Sequence, residues 1–367
     1  MMTFRSYWTL FAGILLLAAG SCAQKEQVFV PEGHITMTFS TEDPATKVVT
    51  PGTGDANDGG KIVVDANGKP DLIIAVVNSS NTIIAWYPEN FGAVPGGTTY
   101  TATESTLTAS SPIDETTITI SGPGRGSYTV YAVANSSGQT TLRTSIASQT
   151  TLAGLEAVTI SAAGEPSFTP MLLSAKGSLS VNASGSGQVY LPLLRVVGKV
   201  SYSFRNETGD ELQLYACSVT LKDMNPSQGY LFTREIDFVT GVDRDLVITE
   251  DSPDPIDNNS TLTLSPKFVF PSTAPAQLIG NRYLCDITFR TLKGEGPYNA
   301  ADPSTYDIHS YTDVPIHDSR SADIKAVERN KRLNIVSRIS KRANDYVASF
   351  NFELLPWVEV SQSIEFN

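Results

Sequence analysis

Short runs in which apolar and polar residues alternate recur along the chain and constrain its fold more than any other feature. Ile35, Met37 and Phe39 alternate with threonine and serine, which places three apolar side chains on one face of an extended strand. Turns rich in Asn, Gly and Pro separate the further runs, which cover residues 61–64, 72–77, 82–87, 128–135, 212–221, 262–270, 283–289, 333–335, 346–354 and 358–366. The best candidate for a helix in the first half is the short segment 151–158. This pattern predicts an all-β fold of antiparallel β-sandwiches.

The first 21 residues have the features of an export signal. Arg5 precedes an apolar run over residues 8–19, which fits the ~7–15 residues of a signal core and falls short of the ~20 that span a bilayer. Gly20 and Ser21 lie directly before Cys22, the pattern of a lipobox, in which the cysteine is acylated before cleavage. We therefore expect palmitate and related acyl chains on Cys22 to hold the mature chain on a membrane. Ordinary signal cleavage beside an incidental cysteine is the alternative interpretation.

The length predicts two domains. Removal of residues 1–21 leaves 346 of the 367 residues, and one domain commonly has ~100–200. A basic and apolar segment at 194–199 marks the beginning of a second unit. The predicted domains are therefore residues 22–195, with a first strand at about 34–47, and residues 196–367.

The charge balance excludes several partner classes. The net charge of −12 argues against binding to nucleic acid or adsorption to anionic lipid. One basic run near the C-terminus alternates with apolar residues, and it predicts a solvated strand face. Its members are Arg320, Lys325, Arg329, Lys331, Arg332, Arg338, Lys341 and Arg342.

No catalytic motif is present in the sequence, so we expect neither an enzyme nor a cofactor. Two polar clusters raise the question of a metal. The first is a predicted loop that holds His309, His317 and three aspartates, Asp307, Asp313 and Asp318. The second is Asp55, Asn57 and Asp58 before Gly59, without the spacing of a calcium loop. We interpret the first as solvated loop residues and the second as a turn, and expect no metal site.

Two cysteines remain beyond the lipid site. Cys217 and Cys285 each lie on the apolar face of a predicted strand. Two buried thiols or one disulfide bridge both fit this placement, because sequence alone does not supply the geometry that a bridge requires.

Several segments resemble the fimbrillin family, the type V pilins of Bacteroidales. The strongest similarity is at the end of the chain, where Glu328-Arg329-Asn330-Lys331 is followed by Ile335, Ile339 and Trp357-Val358-Glu359-Val360. The other similar segments are residues 45–52 with 55–59, 128–135, 170–175 and 194–200. The resemblance rests on the order and spacing of these segments over nearly the whole mature chain.

The resemblance implies two tandem transthyretin-like antiparallel β-sandwich domains in a surface-exposed lipoprotein of the outer membrane. It also implies that a protease removes the first strand and that a strand from another subunit fills the groove. This chain offers Lys47 as the cleavage site, whereas the family usually has Arg. That departure leaves an uncleaved anchor subunit open as an alternative.

The C-terminal residues are the candidate donor strand. Val358, Val360, Ile364 and Phe366 share one apolar face of the run 358–366, with Gln362 as a polar interruption. The alternative is that this run is the last strand of its own sandwich.

The resulting hypothesis is a structural subunit of a fimbria (a pilus) that contributes to adhesion, with other pilin subunits and a host or bacterial surface ligand as its partners. The main rival is a surface-exposed glycan-binding lipoprotein of the outer membrane. For that rival, the candidate sugar platforms are Trp86, Tyr87, Phe91, Tyr306 and Tyr311. Core packing is the better interpretation for Trp86.

Overall fold

The computed structural model describes two sets of β-strands and two short helices. The described residues are 33–41, 60–97, 100–104, 112–209, 213–234, 239, 244–250, 254–274, 276–277, 280–294, 296–317, 324, 326–342 and 345–356. None of the helices within these ranges has the length and hydropathy to cross a membrane.

Within the described ranges, the first half of the chain has ten strands and both helices. The strands are β1 His34–Ser40, β2 Leu72–Asn78, β3 Ile83–Tyr87, β4 Thr101–Glu104, β5 Glu115–Ser121, β6 Gly126–Ala134, β7 Thr159–Ser161, β8 Leu173–Val181, β9 Ser186–Pro192 and β10 Leu194–Arg195. The helices are α1 Thr140–Ala147 and α2 Leu152–Glu156.

The described part of the second half contains fourteen strands and one 3-10 turn, Pro303–Thr305. The strands are β11 Gly198–Glu207, β12 Leu214–Leu221, β13 Gln228–Tyr230, β14 Leu246–Glu250, β15 Thr261–Thr263, β16 Lys267–Val269, β17 Ser272–Thr273, β18 Ala276–Gln277, β19 Gly280–Asn281, β20 Leu284–Leu292, β21 Tyr306–Pro315, β22 Ala326–Val327, β23 Lys331–Arg342 and β24 Asp345–Pro356.

Two sheets enclose the hydrophobic core of the first half. Their strand orders are β4-β5-β1-β9 and β10-β8-β6-β2-β3. Apolar side chains from both sheets form one buried cluster, which we call the first core; examples are Ile35 and Ile120 from one sheet and Val76 and Val130 from the other. Two sheets that share one core form a β-sandwich, as the alternating pattern predicts.

The second half repeats this arrangement. Its sheets have the orders β15-β11-β23-β24, with β16 also paired to β11, and β14-β12-β20-β21. Side chains such as Tyr202 and Ile335 from one sheet, and Val219 and Ile287 from the other, form a separate buried cluster, the second core. In each half the first strand lies inside its sheet and pairs in parallel with a later strand, β1 with β9 and β11 with β23.

The helix prediction for residues 151–158 is confirmed by α2, whose first turn is capped by Thr151 Oγ1, 3.2 Å from the backbone nitrogen of Gly154. Helix α1 was not predicted. This helix buries only Leu142 and Ile146, and it has no acidic residue in its first turn and no side-chain N-cap, so it lacks the usual sequence signals.

The prediction that His309 lies in a polar loop is wrong, because Tyr306–Pro315 form β21 and pair with β20. The physical reason is that β21 is an edge strand and buries little. Only Tyr306 among its residues is buried, and Ile308 is 59% exposed, so the strand shows no apolar face in sequence.

Candidate functional site

Strand β1 is paired along its whole length on both edges. It runs antiparallel to β5 from His34 opposite Ser121 to Ser40 opposite Glu115, and parallel to β9 over the same seven residues. Backbone hydrogen bonds continue the pairing beyond the strand ends, from Gly122 N to Gly33 O at 2.7 Å and from Thr41 N to Asp114 O at 2.9 Å. The strand therefore fills the space between two neighbours that do not pair with each other.

The two faces of β1 have different roles. Ile35, Met37 and Phe39 are 0% exposed and point into the first core. On the outer face, the Thr36 and Thr38 hydroxyls lie 3.4 and 3.3 Å from the hydroxyls of the threonines opposite them on β5. Burial of three such apolar side chains contributes ~1.5–3 kcal/mol each at most. Without β1, the first sandwich would have an exposed apolar groove and two unpaired strand edges.

Gly33 fixes where β1 enters the sheet. A Cβ atom at this position would lie 1.6 Å from the carbonyl oxygen of Pro123, so no larger residue fits without movement of the backbone. The close approach lets the Gly33 carbonyl accept its bond from Gly122 and holds the register of the strand.

A second region, a network of buried hydrogen bonds around Arg329, lies where the two cores meet. Arg329 is 6% exposed, and its guanidinium donates to the carbonyl oxygens of Tyr230 at 2.8 Å and Leu231 at 3.0 Å. The same Leu231 oxygen accepts a hydrogen bond from the Ser174 hydroxyl at 2.6 Å. The prediction that Arg329 belongs to a solvated face is therefore wrong, because carbonyls that are distant in sequence supply its partners.

The neighbouring residues complete this region. Asn330 adopts a left-handed backbone conformation with a φ of 52°. Its backbone nitrogen donates a hydrogen bond to the carbonyl oxygen of Val197 at 2.9 Å, and its Oδ1 accepts one from Arg195 Nη1 at 3.2 Å. A Cβ at Gly198 would lie 2.6 Å from the carbonyl oxygen of Glu328. The segment Glu328-Arg329-Asn330, which carries the sequence resemblance, thus connects residues of both cores.

The remaining predicted site residues lie outside the described residues. They are Cys22, Lys47, Val358, Val360, Ile364 and Phe366. The same holds for Asp55, Asn57, Asp58 and Asp318 of the polar clusters.

The two histidines of the predicted polar loop have separate partners. His309 lies on β21, where Nε2 is 2.9 Å from the Thr291 hydroxyl and the ring stacks on Phe289. His317 Nδ1 lies 3.1 Å from the carbonyl oxygen of Pro315. In the described part of the chain, no three His, Cys, Asp or Glu side chains group in a way that could hold a metal ion.

The cysteine register argues against a disulfide. Cys285 is a buried free thiol opposite Leu221, whereas Cys217 lies four residues before Leu221 and opposite Glu250. The four residues from Cys217 to Leu221 span ~13 Å along the strand. Because Cys285 lies opposite Leu221, the Cα atoms of the two cysteines are farther apart than the ~7 Å limit of a disulfide. Burial, followed by the charge of Asp286, raises the pKa of the Cys285 thiol to about 12.

The predicted sugar platforms are largely inside the protein. Trp86 is 3% exposed and its indole nitrogen donates to Ala93 O at 3.2 Å, so the core-packing interpretation is confirmed. Tyr87 and Tyr306 are also buried, and the hydroxyl of Tyr311 donates to Tyr346 O at 2.6 Å. Sugars that stack on aromatic faces need exposed rings, and Trp86, Tyr87 and Tyr306 do not present one. Phe91 and Tyr311 are half-buried.

Comparison of structures places this architecture among known proteins. No protein-family model matches the sequence, and no curated protein matches it. A fimbrilin from Porphyromonas gingivalis W83 superimposes with a TM-score of 0.54 at 12% identity, over 91% of this chain and 100% of the fimbrilin. The chain has a fimbrilin-like fold.

Two further structures share this fimbrilin-like fold. A candidate cell adhesion protein from Parabacteroides distasonis ATCC 8503 has a TM-score of 0.53 at 12% identity, over 90% of this chain and 99% of its own. A candidate cell adhesion protein from Bacteroides eggerthii DSM 20697 has a TM-score of 0.50 at 14% identity, over 89% of this chain and 96% of its own.

Proposed function

We propose that the protein is a structural, non-enzymatic subunit of a cell-surface fimbria that is assembled by strand complementation. The observation that carries this proposal is the place of β1, a short strand near the start of the described chain that is paired on both edges and inserts Ile35, Met37 and Phe39 into the first core. The fimbrilin-like fold supports the same conclusion.

The proposed mechanism begins with proteolysis after Lys47, which releases β1. The edges of β5 and β9 and the apolar groove between them then become open to an incoming strand. Such an edge pairs readily with an extended segment, because main-chain hydrogen bonds supply affinity and alternate side chains supply specificity.

The donor in this proposal is the C-terminal run of a second subunit. Val358, Val360, Ile364 and Phe366 would replace the apolar row of β1. Burial of four such side chains contributes at most roughly 6–12 kcal/mol, which exceeds association costs of several kcal/mol. The two domains at 22–195 and 196–367, each around its own core, would form the rigid body of the subunit.

The proposal includes an anchor at Cys22, whose acyl chains would hold the precursor on the outer membrane with the sandwiches at the cell surface. Radiolabelled palmitate fed to cells should label the natural chain and leave Cys22→Ala unlabelled. Equal labelling of the two proteins would show that the lipid is elsewhere.

The deciding experiment compares substitutions on the two faces of the C-terminal run. Val360→Asp places a charge on the proposed apolar face, and Ser361→Asp places the same charge on the polar face. We expect Val360→Asp to abolish detergent-stable polymer ladders from cells and Ser361→Asp to preserve them.

A truncation tests whether the run is dispensable for its own subunit. Removal of residues 358–367 should leave a cooperative thermal melt and no ladder. A truncated monomer that does not fold, or an unchanged ladder, would rule out donation from this terminus.

A further inference from the structure

A cleft opens to the surface where β3, β4 and α1 of the first half come together. It encloses about 730 Å³, within the roughly 300–1,000 Å³ of small-molecule sites. Tyr87 at the end of β3, Glu104 on β4 and Arg143 on α1 all line it, although these residues are distant in sequence. No sequence motif indicated this site.

Two ion pairs form part of the cleft wall. Lys69 Nζ lies 3.0 Å from Glu104 Oε1, and Arg143 Nη1 lies 3.5 Å from Asp71 Oδ1. The Tyr87 hydroxyl donates to the other oxygen of Glu104. Burial, then its hydrogen bond to Glu104, raises the pKa of Tyr87, so the hydroxyl keeps its proton. The wall therefore presents hydrogen-bond donors and acceptors side by side.

The charges of the wall restrict the ligand. Four carboxylates line the cleft together with Lys69 and Arg143; they belong to Asp65, Asp71, Glu89 and Glu104. The carboxylates outnumber the basic side chains four to two, so they would repel an anion. Glu104 and Asp71 form the two ion pairs, and Asp65 and Glu89 accept backbone hydrogen bonds from Asn67 and Ala102, so a cation would have to displace these partners. An uncharged polyhydroxy compound avoids both costs, because every hydroxyl group donates one hydrogen bond and accepts others.

Apolar side chains complete the lining. Leu72, Val63, Pro70 and Pro88 contribute carbon atoms to the cleft beside the charged groups. A pyranose ring also combines polar and apolar groups, with hydroxyl groups around its rim and C–H bonds on its faces. We propose that this cleft binds an uncharged pyranose unit of a glycan.

The first half also contains a matched control. Glu156 accepts hydrogen bonds from the Tyr131 hydroxyl at 2.9 Å and from Lys176 at 2.5 Å, the same trio of residue types as Tyr87, Glu104 and Lys69. Glu156 does not line the cleft. Glu156→Gln therefore removes an equivalent carboxylate from the same half without a change to the site.

The test uses the full chain with Cys22→Ala, so that no lipid interferes. Methyl glycosides of glucose, galactose, mannose, fucose and N-acetylglucosamine are titrated by calorimetry and by saturation-transfer NMR, with N-acetylneuraminic acid and glucosamine as charged comparators. We expect saturable binding of at least one neutral glycoside and weaker binding of both charged sugars.

Four substitutions, one of them the control, locate the binding. Glu104→Gln and Arg143→Gln should each weaken it about tenfold or more, since each removes a charge-assisted hydrogen bond, while Glu156→Gln leaves it unchanged. Ser137→Phe fills the cleft from an exposed turn without a change to either ion pair, and it should abolish binding while the thermal melt is retained.

Three results would overturn the inference. The first is that no neutral glycoside binds. The second is that a charged sugar binds more tightly, and the third is that Glu156→Gln weakens binding as much as Glu104→Gln. Because all measurements use the monomer, failure here leaves the proposed strand complementation untouched.

Discussion

The guanidinium of Arg329 lies 3.0 Å from the carbonyl oxygen of Leu231, and the two residues come from opposite sides of the boundary between the cores. Leu231 belongs to the first core, whereas Val327, two residues before Arg329, belongs to the second. A buried guanidinium that donates to several carbonyls is a directional connection, because its planar fork fits one arrangement of acceptors. Arg329 thus connects the second half of the chain to carbonyl groups beside the first core.

The first prediction concerns this connection. Arg329→Met keeps much of the side-chain volume and leaves the carbonyls of Tyr230 and Leu231 without their donor. We expect a loss of about 2–3 kcal/mol in the free energy of unfolding, measured by urea denaturation. Arg332→Met is the control, since Arg332 is half-buried and bonds Asn334 Oδ1 at 2.8 Å, and its cost should stay below about 1 kcal/mol. Equal costs for the two variants would show that Arg329 has no special role.

The second prediction concerns how much β1 stabilises the first sandwich. Phe39→Ala should destabilise the unprocessed chain by about 3–5 kcal/mol, because Phe39 is completely buried in the first core. Thr38→Ala, one residue away on the outer face, removes only a 3.3 Å hydroxyl contact and should cost less than about 1 kcal/mol. Thermal or urea unfolding of both variants checks the difference. A small effect of Phe39→Ala would show that β1 contributes little to the first core.

The third prediction concerns the thiols. In the chain with Cys22→Ala, the pKa of about 12 and the burial of Cys285 should make this thiol unreactive toward Ellman's reagent at neutral pH. After unfolding without reductant, iodoacetamide should label both Cys217 and Cys285, as measured by peptide mass spectrometry. A peptide pair joined through these two residues would contradict the register of β12 and β20.

The sequence predicts the sandwich class because strands such as β1 bury one face and expose the other. Ile35, Met37 and Phe39 alternate with threonines, so the two-residue period of the sequence matches the positions that are buried in the strand. Strand β21 does not follow this pattern, because it lies at a sheet edge and only Tyr306 among its residues is buried, whereas Ile308 is exposed. Its sequence therefore looks like that of a polar loop.

The functional regions are less accessible to sequence reasoning, because tertiary contacts create them. Arg329 lies in a run of charged residues and has no local signal for burial; its acceptors at 230–231 come from almost a hundred positions earlier. The cleft likewise combines residues from β2, β3, β4 and α1. By contrast, the resemblance at Glu328-Arg329-Asn330 marked the region that the structure places between the two cores.

The last prediction concerns processing, and it decides whether β1 leaves the subunit. Lys47 lies after β1 in the sequence and four residues before a Pro-Gly pair, and segments beside predicted turns are common sites of proteolytic cleavage. Amino-terminal sequencing of subunits from assembled fibres should begin at Val48, and Lys47→Gln should keep β1 attached and block entry into ladders. The control is Lys61→Gln, which changes a lysine beyond the cut whose ion pair with Asp114 is exposed, and it should leave processing unchanged. Fibre subunits that begin at Cys22 would mean that β1 stays in place, and the protein would then be an uncleaved anchor or would assemble by another route.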